Sequence, residues 1–335
     1  MSRLAWICLI ALALPGASAG AEPARVLRMA TVVPEGTSWA REFRAMARDV
    51  ETQTRGALKI KFYLGGIAGD ELAVEARIRR DQLDGSVSAG MLCEKLAPSM
   101  RVMRIPGMFQ NRDESTYVLG RLKPTLDKEF LEAGFTNLGE AGVGAAILFS
   151  RTPVRGFADL RKGRYWVWDI DEVMKSQLPL LGIHLAPMPI ADAGRAYDEG
   201  KHDGFVSPPT AALGFQWSTQ TRYYSELRMS YVSGCLLVAN RVFDSLSSES
   251  KEVMRAAAAK TRARMEDLGR RMDQELLGGL FRRQGLTAVP VSDSFRAEFF
   301  DAARAVRERS GSNIVPIALI DRVLALLADF RGEHP

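Results

Sequence analysis

Apolar residues recur along the chain in short runs that alternate with longer stretches at helical spacing. Val26 to Val33 reads as a buried strand, followed by turn and capping residues at Pro34, Glu35, Gly36, Thr37 and Ser38. A helical pattern then extends from Trp39 to Gln53, and Leu58 to Leu64 alternates apolar and polar positions as a second strand. Gly65, Gly66, Gly69 and Asp70 mark the loop that opens another helix. Further strands are predicted near Ser86 to Ala89, Ala145 to Ser150, Tyr165 to Trp168, Leu185 to Pro189, Cys235 to Asn240 and Leu286 to Val291. Strands alternating with helices in this way imply an α/β fold.

One element constrains the architecture more than the rest. Ser247 is suited to cap a helix, with Glu249 in its first turn, and Met254, Ala257, Thr261, Met265, Leu268, Met272, Leu276 and Leu280 follow at helical spacing. Gly285 is the natural stop. At 1.5 Å per residue, a helix of about 35 residues extends about 50 Å. A lobe of about 150 residues has a radius of gyration of only roughly 15 Å. The helix is therefore expected to span two lobes. No internal repeat, low-complexity tract or proline-rich linker separates them, which predicts a chain that crosses between lobes more than once, as a hinge requires.

The N-terminus carries Arg3, an apolar run from Leu4 to Leu14, then Pro15, Gly16 and the small triplet Ala17, Ser18, Ala19. That order predicts a signal peptide over residues 1–19 and a secreted, periplasmic protein. The run is too short for a membrane span, which needs roughly 20 apolar residues. Cys8 lies inside it, so no cysteine stands at the cleavage point to carry a lipid. The formal charge of +5 falls by one without Arg3, and the basic residues form no sustained stripe, so nucleic-acid binding is not expected. Cys93 and Cys235 survive cleavage, and the expectation is two buried thiols, with pairing the alternative in an oxidising compartment.

Catalytic chemistry finds little support. The chain has no Gly-x-Ser-x-Gly elbow, no His-Glu-x-x-His pair and no phosphate-cradling glycine loop, since Gly65, Gly66 and Gly69 lack the lysine and threonine that would follow. Its three histidines, His184, His202 and His334, read as structural or solvated. No enzyme activity, cofactor or metal is expected.

Several segments together resemble the solute-binding proteins of tripartite ATP-independent periplasmic (TRAP) transporters, the DctP-type family. They are Leu27 to Trp39 (LRMATVVPEGTSW), Leu58 to Leu72 (LKIKFYLGGIAGDEL), Arg104 to Gln110 (RIPGMFQ), Pro153 to Leu160 (PVRGFADL), Leu181 to Pro189 (LGIHLAPMP), Asp203 with Gly204, and Leu246 to Glu252. They run in the family's order over nearly the whole mature chain. The resemblance implies a two-lobed periplasmic binding protein, an α/β fold with a hinged cleft and a long helix bridging both lobes. The corresponding division is residues 20–143 plus 234–272 for the first lobe and 144–233 plus 273–330 for the second. It also implies capture of a small-molecule ligand and two partners, a small and a large integral membrane subunit. A ligand sensor that signals to a membrane partner needs the same cleft, and an accessory periplasmic protein that supplies ligand is a further possible partner.

The resemblance also points to ligand-binding positions. Most family members hold organic acids through an arginine on the strand after the PVRGFADL-like segment; here that position is Trp166. The position of a second arginine is Ala146, and that of the usual asparagine after Asp-Gly is Ser207. The strand Tyr165, Trp166, Val167, Trp168, Asp169 resembles a subgroup without the acid-holding arginine, whose cleft is expected to be aromatic and more apolar. Trp166 and Trp168 share one face by strand alternation, either as cleft wall or as core. Glu35, Thr37 and Trp39 match a polar loop and helix start that face the cleft, Trp39 being wall or lobe packing. Met91, Ile190 and Tyr231 match positions near the cleft, as walls or as ordinary core. Gln216 and Trp217 reach either the hinge or the ligand.

Overall fold

A computed structural model describes residues 24–310 and 314–333. The expected signal peptide and His334 lie outside the described residues. The strands are β1 (Arg25–Ala30), β2 (Leu58–Tyr63), β3 (Gly85–Ser88), β4 (Phe135–Ser150), β5 (Arg164–Trp168), β6 (His184–Met188), β7 (Gly204–Ser207), β8 (Tyr223–Ala239) and β9 (Thr287–Val289). They join in the order β2-β1-β3-β8-β4-β7-β5-β6, with β9 paired to β8. β1 is parallel to β2 and β3, and β5 is parallel to β6 and β7, as connecting helices require.

The two groups share only β4 and β8, which run antiparallel through both. Phe135–Gly142 pairs with Ser233–Ala239 at the end of the ladder joined by β3, and Gly144–Ser150 pairs with Tyr223–Val232 at the end joined by β7. The short runs Ala145–Ser150 and Cys235–Asn240 expected from sequence are thus parts of much longer strands. Their other halves escaped the hydrophobic pattern because they are glycine-rich or polar. The pairing shifts register between Asn137 and Gly139, between Gly142 and Gly144, and between Ala146 and Leu148. Gly139 and Gly144 sit at φ 143° and 157°, backbone that a side chain would strain.

The first helix, Ser38–Gln53, starts at Thr37, whose hydroxyl accepts from the Ala40 N–H at 3.1 Å. It buries Ala40, Phe43, Met46 and Val50, one face at helical spacing. The bridging helix begins at the expected cap, Ser247, but is regular only over Ser248–Glu275, about 42 Å at 1.5 Å per residue. A wider turn follows at Leu276–Leu280, where Gly279 has φ 156°, before Phe281–Arg283 and the stop near Gly285. The unbroken helix expected from spacing therefore kinks at its only glycine pair, Gly278 and Gly279. Lys260 pairs with Asp49 and Arg264 with Glu42, laying this helix along the first one.

Two contacts depart from the sequence expectation. The helix Ile317–Glu333, part of the stretch assigned to the second lobe, buries Ile320, Val323 and Leu327 in the same core as Leu27 and Met46. Arg331 donates from Nε and Nη2 to both oxygens of the buried Glu114, at 2.8 and 3.0 Å, and Phe330 meets Tyr117 at 4.9 Å. Cys93 and Cys235 are not free thiols. They form a disulfide, with Cα atoms 6.0 Å apart, tying the Met91–Leu96 helix to β8 across 142 residues. Replacing both cysteines by serine should cost ~2–4 kcal/mol of stability, chiefly by releasing a long loop in the unfolded chain. Urea unfolding of the double variant against the oxidised protein checks this; equal midpoints would contradict it.

Candidate ligand-binding cleft

A cavity of about 440 Å³ lies where the two lobes face each other. The first lobe contributes the turn from Val32 to Trp39, Ala89, Met91 and Arg104. Val143, Ala146 and Val232 of the crossing strands form its hinge side. Trp166, Trp168, Asp171, Ser207, Thr210 and Trp217 come from the second lobe.

Strand alternation decides what β5 offers. Tyr165 and Val167 pack into a core with Phe157, Leu160 and Phe299, whereas Trp166 and Trp168 turn to the other face, beside Met91 and Phe205. Both alternatives for these tryptophans therefore hold together: each is buried in a core cluster and lines the cavity. The Trp166 Nε1–H donates to the Met188 carbonyl at 3.2 Å, so the edge of that indole is already occupied. Trp217 is stacked between Phe205 and Phe215, with ring centroids 4.7 and 5.0 Å away, and Trp166 leans on it at 4.8 Å. This aromatic wall is continuous.

The remaining expected positions divide. Ala146, Ser207, Met91, Ile190, Thr37 and Trp39 line the cavity, and Glu35 lies at its rim, paired with Arg44 at 2.5 Å. Gln216 lines it too, with Trp217. Asp169 and Tyr231 are outside the lining. β5 ends at Trp168 and the chain turns back, the Asp171 N–H donating to the Trp168 carbonyl, so the strand's alternation no longer governs Asp169. Tyr231 faces the first lobe's core and meets Phe109 edge-on at 6.1 Å. His202 is a structural histidine, enclosed between the Gly204 and Ala193 carbonyls at 2.9 and 3.0 Å; burial lowers its pKa. Among the described residues no group of three or more His, Cys, Asp or Glu is placed to hold a metal ion.

The sequence reading missed the cleft's main charges. Arg104, at the end of the turn Pro98–Arg104 in the first lobe, bonds through Nη2 to Asp171 of the second. Asp171 also caps the helix Glu172–Gln177, its Oδ1 accepting from the Met174 N–H at 2.9 Å. Glu94 lies 3.6 Å from the Arg104 guanidinium, and all three side chains are buried. Among the described lining residues Arg104 is the one cation, and it is bonded to Asp171, while Glu35 is paired with Arg44. The available signal was local: an N-cap aspartate after a strand, and an arginine within the quoted RIPGMFQ segment, 67 residues apart.

Desolvation pushes the Glu94 carboxyl up to about 8, Asp171 and Glu71 adding to the rise and Arg104 opposing it. Glu71 is also raised by burial, against the Ser88 hydroxyl and the Leu92 and Ala89 N–H groups that donate to it. A carboxyl whose pKa is higher folded than unfolded binds more protons in the folded state. Its contribution therefore favours folding at low pH and fades as pH rises from about 4.5 to about 8. Glu94→Gln should flatten this decline, most visibly in melting temperatures compared from about pH 5 to about pH 8. Parallel profiles for the variant and the parent would place the titration elsewhere.

Known proteins share this fold. Residues 29–312 match the family model described as DctP, bacterial extracellular solute-binding protein, family 7. The 2,3-diketo-L-gulonate-binding periplasmic protein YiaO of Escherichia coli (strain K12) is 23% identical over 256 residues, covering 76% of each chain. A TRAP periplasmic solute-binding protein from Xanthobacter autotrophicus Py2, solved with β-D-galacturonate, superposes with a TM-score of 0.79 at 22% identity, over 90% of this chain and 99% of that one. Another from Haemophilus influenzae RdAW, solved with L-gulonate, gives 0.82 at 14% identity, over 90% and 99%. With the family match running over most of its length, this chain belongs to the bacterial extracellular solute-binding proteins of family 7, the DctP family of TRAP transport.

Proposed function

We propose that this chain is an exported, non-catalytic periplasmic receptor that captures a small organic molecule with an aromatic or apolar body and passes it to the small and large membrane subunits of a TRAP transporter. Residues 1–19 are the export signal in this reading. The lobes change over near Gly142–Gly144 and Val232–Gly234, where the long strands shift register.

One observation carries the ligand class: among the described lining residues no cation is free to receive a carboxylate. The relatives from Xanthobacter and Haemophilus are solved with galacturonate and gulonate, molecules that carry one. Here the position of the family's acid-holding arginine is Trp166, and Arg104, the one cation among the described lining residues, is bonded to Asp171. A wall of Trp166, Trp168, Trp217 and Phe215 favours flat apolar surface instead.

Native mass spectrometry of the protein purified from its own periplasm, followed by denaturing release, tests this reading. An apolar or neutral compound is expected, and a released dicarboxylate or sugar acid would sink it. Trp166→Ala should weaken binding of the released compound by ~1–3 kcal/mol. Circular dichroism must show that variant folded, because it also opens the core. Unchanged affinity in the folded variant would remove Trp166 from the site.

A further inference from the structure

We infer that Trp39 determines ligand length: its indole divides the ligand cleft from a second, apolar chamber, so that the cleft takes a compact molecule with no apolar chain on the side of the bridging helix. The inference deepens the aromatic-cleft reading and rests on it.

The second chamber, of about 80 Å³, lies between the first helix, the bridging helix and the ladder of β4 and β8. Phe43 and Met46 of the first helix, Met265 of the bridging helix, and Leu138 and Leu236 of the ladder give it an apolar lining. The polar side chains around it are engaged elsewhere. The Ser88 hydroxyl donates to Glu71 at 2.6 Å, Arg262 pairs with Glu266 at 2.9 Å, the Thr261 hydroxyl accepts from Arg264 at 3.4 Å, and the Glu140 carboxylate accepts from the Asn137 amide. Burial raises the Glu140 pKa, as a dry neighbourhood requires. Protein interiors are close-packed, and an apolar void in one stays dry and receives apolar guests.

Val33, Trp39, Ala89 and Val143 line both this chamber and the ligand cleft, so they stand between the two. Ala89 offers one methyl group, and the two valines offer short branched side chains. Only Trp39 has the bulk to close the gap. Its place is fixed from the backbone outward: it follows the Thr37 cap at the start of the first helix, and its half-buried side chain packs against the cluster of Val33, Ala40, Phe43 and Leu64. Truncating the indole therefore joins the two spaces while the helix that carries it stays capped.

Isothermal titration calorimetry with 4-methylphenol and 4-butylphenol, which share a ring and differ in chain length, tests the partition. The readout is the ratio of the two affinities. Trp39→Ala is expected to shift that ratio about tenfold toward 4-butylphenol relative to the parent, since each methylene buried in an apolar site is worth about fourfold. Adding Leu138→Phe to Trp39→Ala refills the chamber and should return the ratio to the parent's. If Trp39→Ala fails to fold, Trp39→Leu takes its place, with a smaller shift in the same direction. An unchanged ratio in the folded variant overturns the inference and spares the aromatic cleft. A shift that survives the refilling puts the chain elsewhere and overturns it as well, whereas no binding of either phenol by the parent defeats the aromatic cleft and the inference together.

Discussion

The antiparallel pairing of β4 with β8 is the interaction on which the rest of the molecule depends. β1, β2 and β3 reach the sheet only through one end of this ladder, and β5, β6 and β7 only through the other. A ladder of this length could not turn between two lobes as a regular ribbon. Its three register shifts, with glycines at positive φ in two of them, supply the local bends. The cavity opens beside these shifts, and Val143, Ala146 and Val232 form its floor there. Arg112 braces the same place, bonding to Asp273 on the bridging helix and to the Gly142 carbonyl at 3.3 Å.

The second constraint is electrostatic. Arg104 and Asp171 belong to different lobes, so their bond forms only when the lobes face each other at this distance. Isolated, either buried charge would be expensive; paired, they are tolerated, and Glu94 relieves the remaining crowding of carboxylates by holding its proton. The backbone carries changes of side chain without changing course, since the fold superposes with a TM-score of 0.82 on a relative only 14% identical.

The aromatic wall follows from how the second lobe is built. A parallel strand covered on both faces must place large apolar residues on each, and β5 does so with Tyr165 and Val167 on one side and two tryptophans on the other. The tryptophan face is core where Phe205 and Trp217 cover it and cavity where nothing does. Packing and cavity lining are thus served by the same side chains, which is why choosing between core and cleft wall from sequence had no answer.

The sequence by itself determined the features that depend on neighbours in the chain. Alternation and helical spacing marked most strands, the first helix with its Thr37 cap, the start of the bridging helix at Ser247, and the shared face of Trp166 and Trp168. The ordered segments determined the family. Tertiary structure alone decided what depends on residues far apart: the Cys93–Cys235 bond, the docking of Ile317–Glu333 on the first lobe, the crossing halves of β4 and β8, and the Arg104–Asp171 pair. The physical reason is common to all four. A periodic pattern records which face of an element is buried, but not which distant element covers it, and charged or glycine-rich stretches carry no such pattern at all.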